Sequence, residues 1–157
     1  MAVGGIDFSS FQADIVILDE DTDHATHHVY RFGKGDAFDR ARTIRYSMPS
    51  RSWWEEQGVI AIGIEDPRGV ARSADAPLYR AQGAIIACLP ERLLVQPWKP
   101  GEWRKQIGIS NVGKDAPAEY AWSHWPGSVG HGISQDGLDA YCLAYATRQK
   151  IVIEAAA

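Results

Sequence analysis

Four carboxylates in this 157-residue chain sit where a fold has little structural use for them. Asp7 interrupts the first apolar run, Val3-Gly4-Gly5-Ile6-Asp7-Phe8. A charge there is costly to bury unless something cationic lies beside it. Glu65 closes a second apolar run, Val59 to Ile64, and Asp66 follows at once as its rival for any role at that place. Asp136 and Asp139 stand three apart in the first turn of the last helical stretch, so they share a face. Each acid alone has a plain structural use. Asp7 can shape a turn, and acids stabilise helix N-termini. Together they suggest something else. Two like charges on a face that runs on into a buried stripe at Cys142 oppose each other, and a metal ion removes that penalty. Acids from an early strand, a central strand end and a late helix are what a two-metal phosphodiester nuclease needs. Hard oxygen ligands would hold two Mg²⁺ ions about 4 Å apart, with Mn²⁺ as a substitute. One ion would activate water and the other would stabilise the leaving oxygen.

The elements that must bring these acids together follow from the hydrophobic pattern. Residues 2–8 and 11–18 read as an antiparallel strand pair, and 26–32 as a third strand. The acidic stretch 19–23 reads as a turn; it lacks the glycine and the terminal Glu of a calcium loop. His24, His27 and His28 lack the spacing of a helical metal pair and read as surface strand residues. Phe38, Ala41, Ile44 and Met48 recur at helical spacing over 36–47, and a short helix spans 50–57. Val59 to Ile64 reads as a central strand covered on both faces. Residues 68–76 read as a loop, after which Pro77 starts a helix that runs to Leu89. A short strand at 93–95 is followed by an aromatic and basic loop, 97–105. A glycine-bearing turn at 108–114, a helix over 115–124, a loop at 125–132 and a last helix over 135–149 complete the chain. This order predicts one α/β domain over 1–157. Its mixed sheet has an antiparallel start and later strands made parallel by crossover.

Composition narrows the function classes. The formal net charge is −4, which weighs against a nucleic-acid partner, but the cations are grouped. Arg31, Lys34, Arg40, Arg42, Arg45 and Arg51 fall in one window, and Arg92, Lys99, Arg104, Lys105 and Lys114 in another. Cys88 and Cys142 read as buried free thiols in a reducing compartment. No apolar run approaches the ~20 residues of a membrane span. No basic segment followed by an apolar one opens the chain, so a cytoplasmic protein is expected.

Ordered this way, the chain resembles the RuvC-like Holliday junction resolvases of the ribonuclease H-like superfamily, short phage-encoded members included. The resemblance rests on GGIDFSS with Asp7, IAIGIEDP with Glu65, and QDGLDAYCLAYA with Asp136 and Asp139. Between them, PWKPGEWRKQIGISNVGKDA matches a proline-tryptophan-lysine stretch that leads to a glycine and a downstream lysine. The resemblance implies a five-stranded mixed sheet flanked by helices, its first three strands antiparallel and the later ones parallel. It implies that Asp7, Glu65, Asp136 and Asp139 are metal ligands and that Lys114 lies near the scissile phosphate. It makes Lys99, Arg104, Lys105 and Lys114 DNA contacts, with Arg68 beside them. The implied partner is branched DNA, above all a four-way junction, cut by a homodimer. Two features depart from the pattern. Pro67 and Arg68 stand where bacterial members carry an aromatic that acts on bases at the junction centre, and the net charge is acidic.

Three other readings compete. A nuclease of the same fold could act on flaps, forks or RNA–DNA hybrids, and the four acids do not separate these substrates. A non-catalytic branched-DNA-binding module would not need four placed acids. A sugar-kinase-like or actin-like ATPase also opens with Gly-Ile-Asp, but needs a second domain for which there is no room.

Overall fold

The first apolar run becomes the middle of the structure. In the computed structural model, which describes residues 1–19, 24–67, 72–110, 113, 115–128 and 132–155, strand β1 (Ala2–Phe8) is central in a five-stranded sheet. On one side it pairs antiparallel with β2 (Gln12–Asp19), which pairs antiparallel with β3 (Ala25–Arg31). On the other it pairs parallel with β4 (Val59–Glu65), which pairs parallel with β5 (Leu94–Trp98). The register sets Asp7 opposite Asp14 and Gly5 beside Gly63. The alternation of the strands then divides the core in two. Ile6, Ile15, Ile62 and Ile64 face α1 (Ala37–Ser47), α2 (Arg51–Glu56) and α3 (Arg72–Cys88). Val16, Leu18 and Trp98 face α4 (Pro100–Gln106), α5 (Ala116–His124) and α6 (Gln135–Ala155).

Helix α6 lies unusually close to the sheet, because two glycines leave room for it. A Cβ on Gly5 would overlap the carbonyl oxygen of Ala140, and one on Gly63 would overlap the Thr147 hydroxyl. Thr147 then accepts a hydrogen bond from the Trp98 indole at 2.8 Å, which ties α6 to β5. The close approach brings the N-terminal turn of α6 beside the C-terminal ends of β1 and β4. No helix of the described residues is long and apolar enough to cross a membrane.

Several elements differ from the sequence expectation. Helix α3 begins at Arg72, so Pro77 lies inside it rather than at its first turn. The amide that proline lacks would have served the carbonyl of residue 73, so the loss falls near the helix start, where few bonds depend on it. The stretch 97–105, read as a loop, holds the end of β5 and the helix α4. Pro100 takes the first helical position, which needs no amide donor, and the full burial of Trp103 supplies the driving force. Pro97 is tolerated because β5 is an edge strand. The last helix runs on to Ala155, and the loop after α5 contains a short 3₁₀ turn, Pro126–Ser128.

Candidate active site

Asp7 is the penultimate residue of β1 and sits on the α6 side of the sheet. Its Oδ1 accepts the Phe8 amide at 2.9 Å. Burial pushes the Asp7 carboxyl well above the usual carboxylate range. The negative charges of Glu65, Asp139 and Asp136 raise it further, and only the Phe8 amide opposes them. Asp7 is thus the hub that feels all three other acids. Glu65, the last residue of β4, is raised by burial and by Asp139. The Trp103 indole, donating to Glu65 Oε2 at 3.0 Å, and the Arg104 guanidinium pull it down. Asp139 is raised by burial and by Asp136, while the Gln135 side-chain amide at 2.8 Å and Arg104 stabilise its charge. Asp136 is raised by burial and by Asp14, with the Gln12 amide opposing. Carboxyl groups that raise one another's proton affinity form a site that gains from a cation.

The all-oxygen donor set suits a hard divalent ion. As placed, it is an open ring: among the described residues no three His, Cys, Asp or Glu side chains close around one point tightly enough to hold a metal. Glu65, rather than Asp66, raises Asp7, and Glu65 itself feels the charge of Asp139. Asp7 and Glu65 also line one small cavity of about 50 Å³ with Phe8, Pro67 and Leu78. Asp66 is buried, and its amide donates to the Trp98 carbonyl at 2.7 Å.

No family model matches this chain, and no curated protein matches it in sequence. Solved structures do. Thermus thermophilus RuvC aligns over 98% of this chain and 97% of its own, with a TM-score of 0.75 at 15% identity. The T. thermophilus RuvC solved with a Holliday junction substrate aligns over 98% and 96%, with a TM-score of 0.73 at 12% identity. The fold is that of RuvC.

On this RuvC fold the predicted cations fall in different surroundings. Arg104 is half-buried, its guanidinium 5.1 Å from the Trp103 ring centroid, and it offsets the charge of Glu65 and Asp139. Lys99 is exposed and pairs with Glu102 at 3.2 Å. Lys105 is exposed at the rim of a cleft of about 530 Å³ that also includes Trp98 and Lys150. Lys114 and Arg68 lie outside the described residues.

A further buried acid of this chain escaped the sequence reading. Asp14 faces Asp7 across the β1–β2 ladder and is wholly buried. It accepts hydrogen bonds from the Gln12 amide at 2.8 Å, His27 Nε2 at 2.8 Å and the Ser134 hydroxyl at 2.9 Å. Ser134 Oγ in turn accepts the Gly137 amide at 3.1 Å, inside the first turn of α6. His27 is therefore not the surface residue expected. Its side chain is 14% exposed and is directed at Asp14, where Gly137 leaves it room; a Cβ there would stand 2.7 Å from Nε2. The signal was available, since Asp14 interrupts its apolar run just as Asp7 does. Asp14→Ala leaves three donors without an acceptor and should cost about 3 kcal/mol. A thermal melt would show this as a clear drop in Tm, with Asp14→Asn between the two. Equal melting of Asp14→Ala and wild type would remove the network from any role in holding α6.

Proposed function

We propose that this protein is a metal-dependent, structure-selective endodeoxyribonuclease that resolves four-way DNA junctions by hydrolysing phosphodiester bonds. The observation that carries the reading is the convergence on Asp7 of three other acids in a RuvC fold: Glu65 from the C-terminal end of the neighbouring strand, and Asp136 and Asp139 from the first turns of α6. One structural neighbour, RuvC in complex with a Holliday junction substrate, supports the substrate class. Asp7, Glu65, Asp136 and Asp139 would hold two Mg²⁺ or Mn²⁺ ions. Bound there, such ions supply an activated water and charge stabilisation at the leaving oxygen.

The chain's own groups orient that ring. The Trp103 indole fixes one oxygen of Glu65, and Gln135 fixes Oδ1 of Asp139. Arg104 favours the charged form of both carboxylates, partly offsetting the burial that raises them. Lys114 is assigned to charge developing on the phosphate. Lys99, Lys105 and Arg68 are assigned to the backbone of the arms. Two opposed strands of a symmetric junction call for two sites, so a C₂ homodimer is proposed.

The test is cleavage of a synthetic four-way junction beside flap, fork, RNA–DNA hybrid and plain duplex, with Mg²⁺ or Mn²⁺ and with EDTA. The expected result is paired incisions across the junction centre in metal and none in EDTA. Full cleavage in EDTA would end the metal assignment. Preference for flap or hybrid would replace the substrate.

A further inference from the structure

At the hairpin that joins β1 to β2 lies a groove of about 390 Å³ that the active-site chemistry does not use, walled by Phe11, Arg31, Phe32, Lys34 and Arg40. We infer that this groove binds one unpaired nucleotide of a DNA strand, its base stacked on Phe11 and its flanking phosphates held by Arg31 and Lys34. The inference rests on the nucleic-acid part of the reading above.

Phe11 is the tip of the hairpin that joins β1 to β2, four residues beyond Asp7, and it is 63% exposed. A large apolar ring in that position gains little for the fold. It is nevertheless held still. The Arg40 guanidinium lies 4.1 Å from the ring centroid. Arg40 is itself fixed, donating from Nε to the Ser10 carbonyl at 2.7 Å, from Nη2 to the Ser10 hydroxyl at 3.3 Å, and from Nη1 to the Gly35 carbonyl. The Phe11 carbonyl accepts the Phe32 amide at 2.8 Å, which pins the hairpin to the end of β3. An exposed ring braced on one face by a cation leaves the other face free, which is what a stacking platform requires.

The charges point the same way. Arg31 and Lys34 are exposed, and among the described residues no carboxylate pairs with either. The nearest acids on the neighbouring helix are Asp36 and Asp39. Asp36 is committed to the amides of Phe38 and Asp39 at the start of α1. Asp39 stands over Gly35. A basic groove in a chain of net charge −4 is a local feature that asks for an anion. A ring together with unpaired cations fits a nucleotide better than an acidic peptide, which offers no aromatic face. Double-stranded DNA would have to unstack a base step to use the ring, a cost an unpaired base does not carry.

The test is fluorescence anisotropy in EDTA, where no cutting occurs, with labelled oligothymidylate and a blunt duplex as separate probes. Wild type is compared with Phe11→Ala, Phe11→Trp and the double variant Arg31→Ala/Lys34→Ala. Phe11→Ala should weaken oligothymidylate binding about tenfold, the effect of one lost base stack, while duplex affinity moves less than about twofold. Phe11→Trp should bind oligothymidylate like wild type. The double variant should flatten the slope of log affinity against log salt by roughly 1.4 on the single strand. Wild-type binding by Phe11→Ala, equal losses on both probes, or displacement by polyglutamate as readily as by unlabelled oligothymidylate would overturn the inference. The outcomes separate the two readings. An unchanged Phe11→Ala in a protein that resolves junctions removes the groove alone. Binding of oligothymidylate through Phe11 in a protein that cuts no junction removes the resolvase reading alone.

Discussion

Asp7→Asn is expected to lower junction cleavage by roughly a thousandfold or more while junction binding persists. Asparagine keeps the size of the side chain and can still accept the Phe8 amide through its oxygen. What it loses is the charge that couples to Glu65, Asp139 and Asp136 together. Asp7 feels all three, whereas Glu65 feels Asp139, Asp139 feels Asp136 and Asp136 feels Asp14, so this position should be the most sensitive of the four. Phosphate repulsion also falls, and affinity for DNA should hold or rise. A second readout does not involve cleavage. Without metal, a buried negative charge among like charges opposes folding, so Asp7→Asn should melt at a higher temperature than wild type. Added Mn²⁺ should raise the Tm of wild type by binding the folded state, and raise that of Asp7→Asn much less. Near wild-type cutting by Asp7→Asn would exclude Asp7 as a ligand. An unchanged wild-type Tm in Mn²⁺ would exclude the acid ring as the metal site.

The strand order was readable because hydrophobic period and length agreed along most of the chain. A run such as Val59 to Ile64 permits little except a buried strand. The acid ring was readable for a related reason: a charge inside such a run costs too much to be incidental. Asp14 carries the same signal, yet its partners His27 and Ser134 come from distant segments, and no local spacing announces a hydrogen bond across 120 residues. Helix α4 was hidden because Pro-Gly-Glu has the composition of a turn. The helix exists through the burial of Trp103 against α6, a tertiary effect that propensity does not contain. Local spacing also made Asp136 and Asp139 look equivalent. Three helical residues leave two side chains about 60° apart, and the structure uses that angle. Both bear on Asp7, but Asp139 also bears on Glu65, whereas Asp136 feels the charge of Asp14.

Gly5→Ala should be among the most damaging single substitutions in the chain, although it adds one methyl group. The Cβ would project from the central strand into the α6 backbone, onto the Ala140 carbonyl and within 2.5 Å of the Ala144 amide nitrogen. Helix backbone has no rotamer with which to move aside, so the whole helix must shift or the strand must bend. Overpacking of this kind costs about 3 kcal/mol or more. In a domain of this size that lowers Tm by roughly 6–12 °C. The neighbouring Gly4→Ala provides the control. Its Cβ points to the opposite face and meets the Ile62 and Ile17 side chains at 3.2 and 3.6 Å, which can adjust, so Tm should move by no more than a few degrees. The functional consequence follows from the same geometry. Gly5 and Asp7 share one face of β1, and Ala140 directly follows Asp139, so the step that relieves the clash moves Asp139 away from Asp7. A misplacement of about 1 Å costs on the order of a hundredfold in rate. Gly5→Ala should therefore cut far more slowly than Gly4→Ala at a temperature where circular dichroism shows both folded. Equal melting and equal rates for the two variants would mean that α6 does not rest on β1 as described, and that its contact with Gly5 does not position the acid ring.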